Sequence, residues 1–305
     1  MQDFFCDIYS SIRDKNPVLK RLHIYSICRW LTRQIANIVL PTLRGIRPSN
    51  VFLQEKRNPS IIVSLTSFPA RINNLWLVID TMLRQTIQPD KIILWLSKKQ
   101  FPDMKSVPNN LIRLQERGLE IRLVPDDLRS HKKYVYALRE FPDDVIITID
   151  DDIIYRSTMI AELWATHQSH PQAVIAQYTH NMLYDNDGSL LPYNQWENNT
   201  MRGSHLFFGS GGGTLFPPHS LHADVMDEHN ALAVCPNADD IWLNAMARLA
   251  KTPIVHSNRY TVVLPILNRN SHTLSADNIT NGNDIQLHQV IDYCKKHYGV
   301  NPFAK

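Results

Sequence analysis

The segment VIITIDDDIIY (145–155) carries five strand-forming residues into three consecutive aspartates before the apolar pattern resumes. Adjacent carboxylates repel one another, and at the end of a buried strand they need a counter-charge. Side chains alternate along a strand, so Asp150 and Asp152 are expected to share a face. Two converging carboxylates make a hard oxygen site suited to Mg²⁺ or Mn²⁺, with coordination positions left for phosphate oxygens. The plain alternative is an acidic polar turn.

Four other groups could do chemistry. Asp239 and Asp240 open a helical pattern, CPNADDIWLNAMARLA (235–250). Acids in a first turn are favoured by the helix dipole alone, but with Asn237 as the cap an aspartate is left free to act as a general base. The run GSGGG (209–213) is no P-loop, since no Gly-Lys-Ser/Thr follows. Glycines so dense between HLFF and TLFPP indicate close backbone approach to a ligand, or turns with positive φ. Thr66, Ser67 and Arg71 in TSFPARI follow a strand and could contact a nucleotide, and Arg129, Lys132 and Lys133 could meet a diphosphate. Solvated surface charge is the ordinary fate of any one of these cations. His256 and His272 are the histidines considered for a third metal ligand. His272, in the polar stretch NRNSHTLS, is the first candidate.

These residues sit on a clear alternation of elements. Strands are expected at 60–65, 91–96, 119–124, 145–149 and 173–178, and helices at 73–85, 131–141, 161–168, 235–250 and 284–299. Short apolar strands separated by helices indicate an α/β chain with a parallel, doubly wound sheet. Ligands bind such sheets outside the carboxyl ends of the strands, which puts 66–72 and 150–152 on the working edge. The segment LYDNDGSLLPY (183–193) reads as a hairpin around Asp187-Gly188.

The 305 residues are 44% hydrophobic, enough for a substantial core. A formal net charge of only +3 argues against a nucleic-acid binder. The charge is uneven: residues 1–58 hold ten Lys or Arg and four acids, +6, so the remainder carries −3. Residues 18–40 have Ile24, Ile27, Leu31, Ile35 and Ile38 at helical spacing, with Lys20, Arg21, Arg29 and Arg33 among them. This reads as a helix packed on the body or as a basic amphipathic helix on an anionic membrane surface. Pro41 is expected to end it, with a linker following. The division is therefore a basic helical arm, 1–58, and one α/β domain, 59–305. Four scattered cysteines, without CxxC spacing, and a start lacking a signal-peptide pattern lead to the expectation of a reducing, cytoplasmic setting, with any membrane contact peripheral.

Taken in order, SLTSFPARI, ITIDDDIIY, GSGGGTLF and NADDIW resemble nucleotide-sugar glycosyltransferases of the GT-A fold, and more narrowly bacterial enzymes of lipopolysaccharide or capsule synthesis. The likeness spans residues 60 to about 275. It implies a Rossmann-type mixed sheet flanked by helices. It also implies a UDP-sugar donor with Mn²⁺ or Mg²⁺, and a glycan or lipid-linked acceptor. Asp150 would contact the ribose or share the metal held by Asp152, with His272 as a further ligand. Thr66, Ser67 and Arg71 would line the uridine pocket, and the glycine run, Gly211 and Gly212 included, would abut donor and acceptor. Asp240, or else Asp239, would be the base of an inverting enzyme. Asp151, Lys132 and Lys133 complete the expected donor-binding set. A phosphohydrolase with DxD as nucleophile would place it after the first strand, and a nucleotidyltransferase would carry a glycine-rich loop there. TSFPARI has no glycine. A degenerate, glycan-binding relative would have lost the acids, and they are present.

Overall fold

The computed structural model describes residues 1–13, 16–46, 57–259, 261–267 and 282–305. Seven strands form the central sheet: β1 (Ile61–Thr66), β2 (Lys91–Ser97), β3 (Leu119–Val124), β4 (Val145–Ile149), β6 (Val174–Ala176), β9 (Gly212–Phe216) and β10 (Ile254–His256). Their order is β10-β6-β9-β4-β1-β2-β3. β1 pairs parallel with both β2 and β4, β2 with β3, and β6 with β10. β9 is antiparallel to both its neighbours, β4 and β6. The parallel sheet read from the alternation of elements therefore fails at one strand, and the sheet is mixed, as the resemblance implies. The chain runs β8 (Leu206–Phe208) through the glycines straight into β9, with no crossover helix between them, so β9 enters the sheet from the opposite end.

The strands bury both faces, and this is why they read as unbroken apolar runs. Ile61, Val63 and Leu65 of β1 belong to one core and Ile62 to the other. On the first face lie α4 (Leu75–Met82), α7 (Met159–Ser169) and two N-terminal helices, α1 (Gln2–Ser11) and α3 (Ile24–Ile46). On the second lie α6 (Lys132–Glu140), α8 (Glu228–Val234), α9 (Asp239–Leu249) and α10 (Asn283–Tyr298). The last ends at Gly299 in the left-handed region, a glycine terminus for a helix. The expected hairpin appears as a single antiparallel bridge, Tyr184 to Leu190, turning at Gly188 with φ +80.

The N-terminal region differs from its expected form in three ways. No separate element is expected over 2–11, yet α1 forms there and its Phe5 and Cys6 are core residues. The single helix over 18–40 is instead α2 (Pro17–Arg21) and α3, broken at His23, whose φ is 55. Pro41 does not end α3. It forfeits one backbone bond, but burial of Ala36 and Leu40 against the body carries the helix through it.

The arm is pinned by charge as well as by packing. Asp80 on α4 is buried and accepts from Arg44 of α3, from Arg84 at 2.8 Å and from Arg117 at 3.5 Å. Arg44 also donates to Gln2 of α1. Removing one partner of a buried pair strands the other charge. Asp80→Ala is therefore expected to lower stability by about 3–5 kcal/mol in urea denaturation and to expose the arm to protease. An unchanged midpoint would mean that Arg44 does not depend on Asp80.

Candidate active site

β1 leads on to β2 and β3 on one side, while β4 lies on its other side. The carboxyl ends of β1 and β4 thus flank the point where strand order reverses, the crevice in which open α/β sheets bind ligands. Ser67 and Asp150 to Asp152 occupy it. β4 ends at Ile149, and Asp150 to Asp152 form a turn. Strand alternation therefore does not align Asp150 with Asp152. Each is aimed by its own partner.

Asp151 points inward. It accepts from Ser67 Oγ at 2.6 Å and from Arg71 Nη1 at 2.9 Å. Arg71 Nη1 also lies 3.0 Å from Asp152 Oδ2, so one guanidinium serves two aspartates. Asp150 points the other way, its Oδ1 2.8 Å from Lys133 Nζ. The same ammonium lies 3.0 Å from Asp239 Oδ2, and that oxygen accepts from Ser210 Oγ at 2.7 Å. Arg71 and Lys133, expected to meet the nucleotide, are thus the counter-charges of the aspartates. Thr66 donates to the Trp95 carbonyl at 2.8 Å. Lys132 is buried against Asp127, and Arg129 donates to Asn237 at 2.6 Å. Asn237 is therefore not the cap of α9. That position falls to Ala238, without a side-chain bond.

The glycine run is the turn that follows β8 and the start of β9, rather than a surface loop. A Cβ on Gly211 would sit 1.7 Å from Asp150 Oδ2, and one on Gly212 would sit 2.6 Å from Tyr178 Cβ. The Asp150 amide donates to the Tyr155 hydroxyl at 2.8 Å, and that hydroxyl donates to the Gly211 carbonyl. Glycine at 211 is what lets the Asp150 carboxylate lie against β9. Sequence reasoning missed Ser210 and Tyr155. Their signals were Ser210's place inside the glycine run and Tyr155's place as the only hydroxyl closing the acidic segment.

The two aspartates of α9 are driven apart electrostatically. Burial works against ionisation of Asp239, but Lys133, His131 and the Ser210 hydroxyl outweigh it and hold the carboxyl below its usual range. Burial pushes Asp240 up to about 7, and the neighbouring Asp239 charge adds to the shift. His131 supports this geometry. It is fully buried, its Nδ1 2.7 Å from the Tyr134 hydroxyl and its Nε2 2.7 Å from the Cys235 carbonyl, so it ties the start of α6 to the approach of α9. Tyr193 stands near Asp240. Tyr178 and Tyr193 each meet His180 edge-on, at 4.9 and 5.6 Å, and Trp196 is core. His205 packs edge-on to Tyr184 at 4.9 Å.

For a divalent ion the residues offer Asp150 and Asp152, whose side chains are 42% and 25% exposed. Four carboxylates, Asp150, Asp151, Asp152 and Asp239, face two cations, Arg71 and Lys133, which leaves the charge of one divalent ion uncompensated. Burial pushes Asp152 up to about 6 against the pull of Arg71, with Asp150 and Asp151 adding to the rise, and a cation there would relieve it. The donor set fits Mg²⁺ or Mn²⁺ that takes its other ligands from phosphate and water. Among the described residues no three His, Cys, Asp or Glu side chains gather into a cage. His272 lies outside the described residues. His256 ends β10 with Nδ1 at the Ser257 carbonyl.

No protein-family model and no curated protein matches the chain. Among solved structures it is similar to the mannosyltransferase PcManGT from Pyrobaculum calidifontis, in complex with GDP-Man and Mn2+, with 10% identity and a TM-score of 0.49, over 87% of this chain and 74% of that one. At that distance the site stands on its own geometry.

Gly211→Ala tests the closest contact in the site. A methyl group 1.7 Å from Asp150 Oδ2 must displace the carboxylate from Lys133. The expected loss is about 1–3 kcal/mol of stability, as for an overpacked core, read as a lowered thermal midpoint. A variant as stable as wild type would place Asp150 elsewhere.

Proposed function

We propose that this chain is a metal-assisted glycosyltransferase of the GT-A type. It moves a sugar from a nucleotide donor, UDP-linked in our reading, to a hydroxyl of a glycan or lipid-linked acceptor in surface-polysaccharide synthesis. The observation that carries the reading is the bridge made by Lys133, which ties the partly exposed Asp150 to the buried Asp239 beside Asp240. One buried ammonium thereby fixes a donor side relative to a proton-accepting side.

Asp150 and Asp152 would hold Mg²⁺ or Mn²⁺, with His272 the candidate for a third ligand. When bound, the ion supplies positive charge opposite the β-phosphate, where charge accumulates as the glycosidic bond breaks. Ser67 and Arg71 act through Asp151 and Asp152, keeping both carboxylates aimed. Thr66 lines the crevice wall where the nucleoside would lie. Gly211 and Gly212 make room for Asp150 and Tyr178, and it is through these side chains that the glycine run would abut donor and acceptor. Tyr193, near Asp240, offers the acceptor ring an apolar wall that His180 and Tyr178 continue.

The acceptor hydroxyl oxygen attacks the anomeric carbon, the bond from that carbon to the β-phosphate oxygen breaks, and the nucleoside diphosphate leaves with the bonding pair. The acceptor proton passes to Asp240. Attack opposite the leaving group inverts the anomeric centre. A base with a pKa near working pH is well matched to this task. Asp239, locked in its anionic form by Lys133 and Ser210, is the poorer proton acceptor. A phosphohydrolase reading lacks support from the topology, since the acids follow β4 and lead directly into β5 (Ile153–Ile154).

Calorimetric titration of nucleoside diphosphates with and without Mn²⁺ tests the donor side. UDP is expected to bind only with metal, and Asp152→Ala to lose that binding. Absence of nucleotide binding under every metal condition would sink the transferase reading.

The base is tested by pH. With Asp240 at about 7, its proton-accepting form grows as pH rises, so turnover should climb about tenfold per unit below 7 and level off above it. Asp240→Asn should lower kcat by about 10²–10⁴ and abolish that limb. A variant retaining the limb would assign the base elsewhere.

A further inference from the structure

α3 is turned inside out for a helix packed on a protein. Its face toward the body carries Ala36, Asn37, Leu40 and Arg44. Its outward stripe is apolar: Ile24, Ile27, Leu31, Ile35 and Ile38 are 38 to 68% exposed, and Leu22 just before the helix is 60% exposed. The fourteen steps from Ile24 to Ile38 run about 21 Å at the helical rise. Single exposed hydrophobics are ordinary, but a continuous patch of this kind marks an interaction surface. Among the described residues no helix is long and apolar enough to cross a membrane.

Charge decides what covers it. No aspartate or glutamate occurs between residues 16 and 54, while Lys20 and Arg21 are exposed beside the stripe. Two arms packed on one another would bring cations to cations, with no carboxylate in that span to pair them. An anionic surface meets the same cations with attraction. Trp30, 58% exposed at the edge of the stripe, has the amphipathic ring that settles at a lipid headgroup boundary. We infer that the outer face of α2 and α3 docks this protein on an anionic lipid bilayer, lying in the interface rather than spanning it.

The inner face of the arm gives that docking a consequence. Gln2 donates to the Tyr155 carbonyl at 3.1 Å, and Asn37 donates to the Pro265 carbonyl at 3.2 Å. Pro265 belongs to β11 (Leu264–Pro265), which pairs with β5, and the next residue, Ile266, donates to the Asp152 carbonyl at 2.7 Å. The surface that meets lipid is thus fixed, through one helix, to the segment that follows the aspartates. Docking would present the crevice to lipid-borne molecules in one orientation.

The test is co-sedimentation of the full chain with vesicles of phosphatidylcholine, with and without phosphatidylglycerol. Binding is expected to be about tenfold tighter on anionic vesicles and to weaken with salt. Ile27→Glu with Ile35→Glu should abolish binding to both. Lys20→Glu with Arg21→Glu should remove the anionic preference. All four positions are exposed, so the melting temperature should not move, and nucleotide titration should be unchanged, separating this inference from the transferase reading. Two outcomes overturn it. One is wild-type protein left in the supernatant with every vesicle. The other is a dimer in sedimentation velocity that Ile27→Glu with Ile35→Glu dissolves, which would assign the face to a second copy.

Discussion

A buried ammonium with two carboxylates on it sets the rest of the site. Lys133 is 2% exposed, and a charge so placed is tolerated only when it is paired. Asp150 and Asp239 come from β4's end and α9's start, on chain segments 89 residues apart in sequence, and Lys133 holds both within 3.0 Å. Everything nearby follows from that pairing. Asp239 is kept anionic, burial and then the Asp239 charge push Asp240 toward neutrality, and Asp150 is held against the backbone of Gly211. Two adjacent aspartates with opposite tendencies are the arrangement that the proposed division into fixed counter-charge and proton acceptor requires.

The parallel part of the sheet was legible because its strands are buried on both faces, so each reads as an apolar run bounded by turns. β3 and β4 have the expected boundaries, and the helices flanking them lie within a few residues of theirs. What the pattern does not encode is direction. TLF in β9 has the same apolar character as a parallel strand, and only the missing crossover after β8 marks it as antiparallel. Pairing across the fold is equally hidden. Lys133 and Arg71 were recognisable as cations near the working edge, but sequence position alone made Lys133 a diphosphate contact and Arg71 a uridine contact. Their actual partners depend on where α6 and the turn after β1 come to rest. Ser210 and Tyr155 were hidden for the same reason, since a hydroxyl reveals its role only through its neighbour.

The glycines show how a backbone can carry a site without side chains. Antiparallel β9 brings its first residues, not its last, to the carboxyl edge of the parallel strands. Gly211 then leaves open the space that Asp150 fills, and Gly213, at φ +96, turns the chain as the strand begins. The direction of the strand and the glycine composition of its start are one requirement: a parallel strand at this position would deliver Phe216 to the edge instead.

The arm extends the same logic to the other side of the acidic turn. Asp152 hands the chain to β5, β5 pairs with β11, and α1 and α3 grip Tyr155 and Pro265 from outside. Asp3 reinforces the grip by accepting from the Ser157 amide at 2.7 Å, and Arg156 reaches Asp7. The backbone leaving the aspartates is therefore held by N-terminal helices, while the aspartates themselves are held by Arg71 and Lys133. An acidic turn clamped at both ends keeps its carboxylates aimed before any ligand arrives, so less of a ligand's binding energy is consumed in ordering them. On this reading the N-terminal helices are a structural part of the site, and whatever covers their outer face bears on the geometry of the acidic turn.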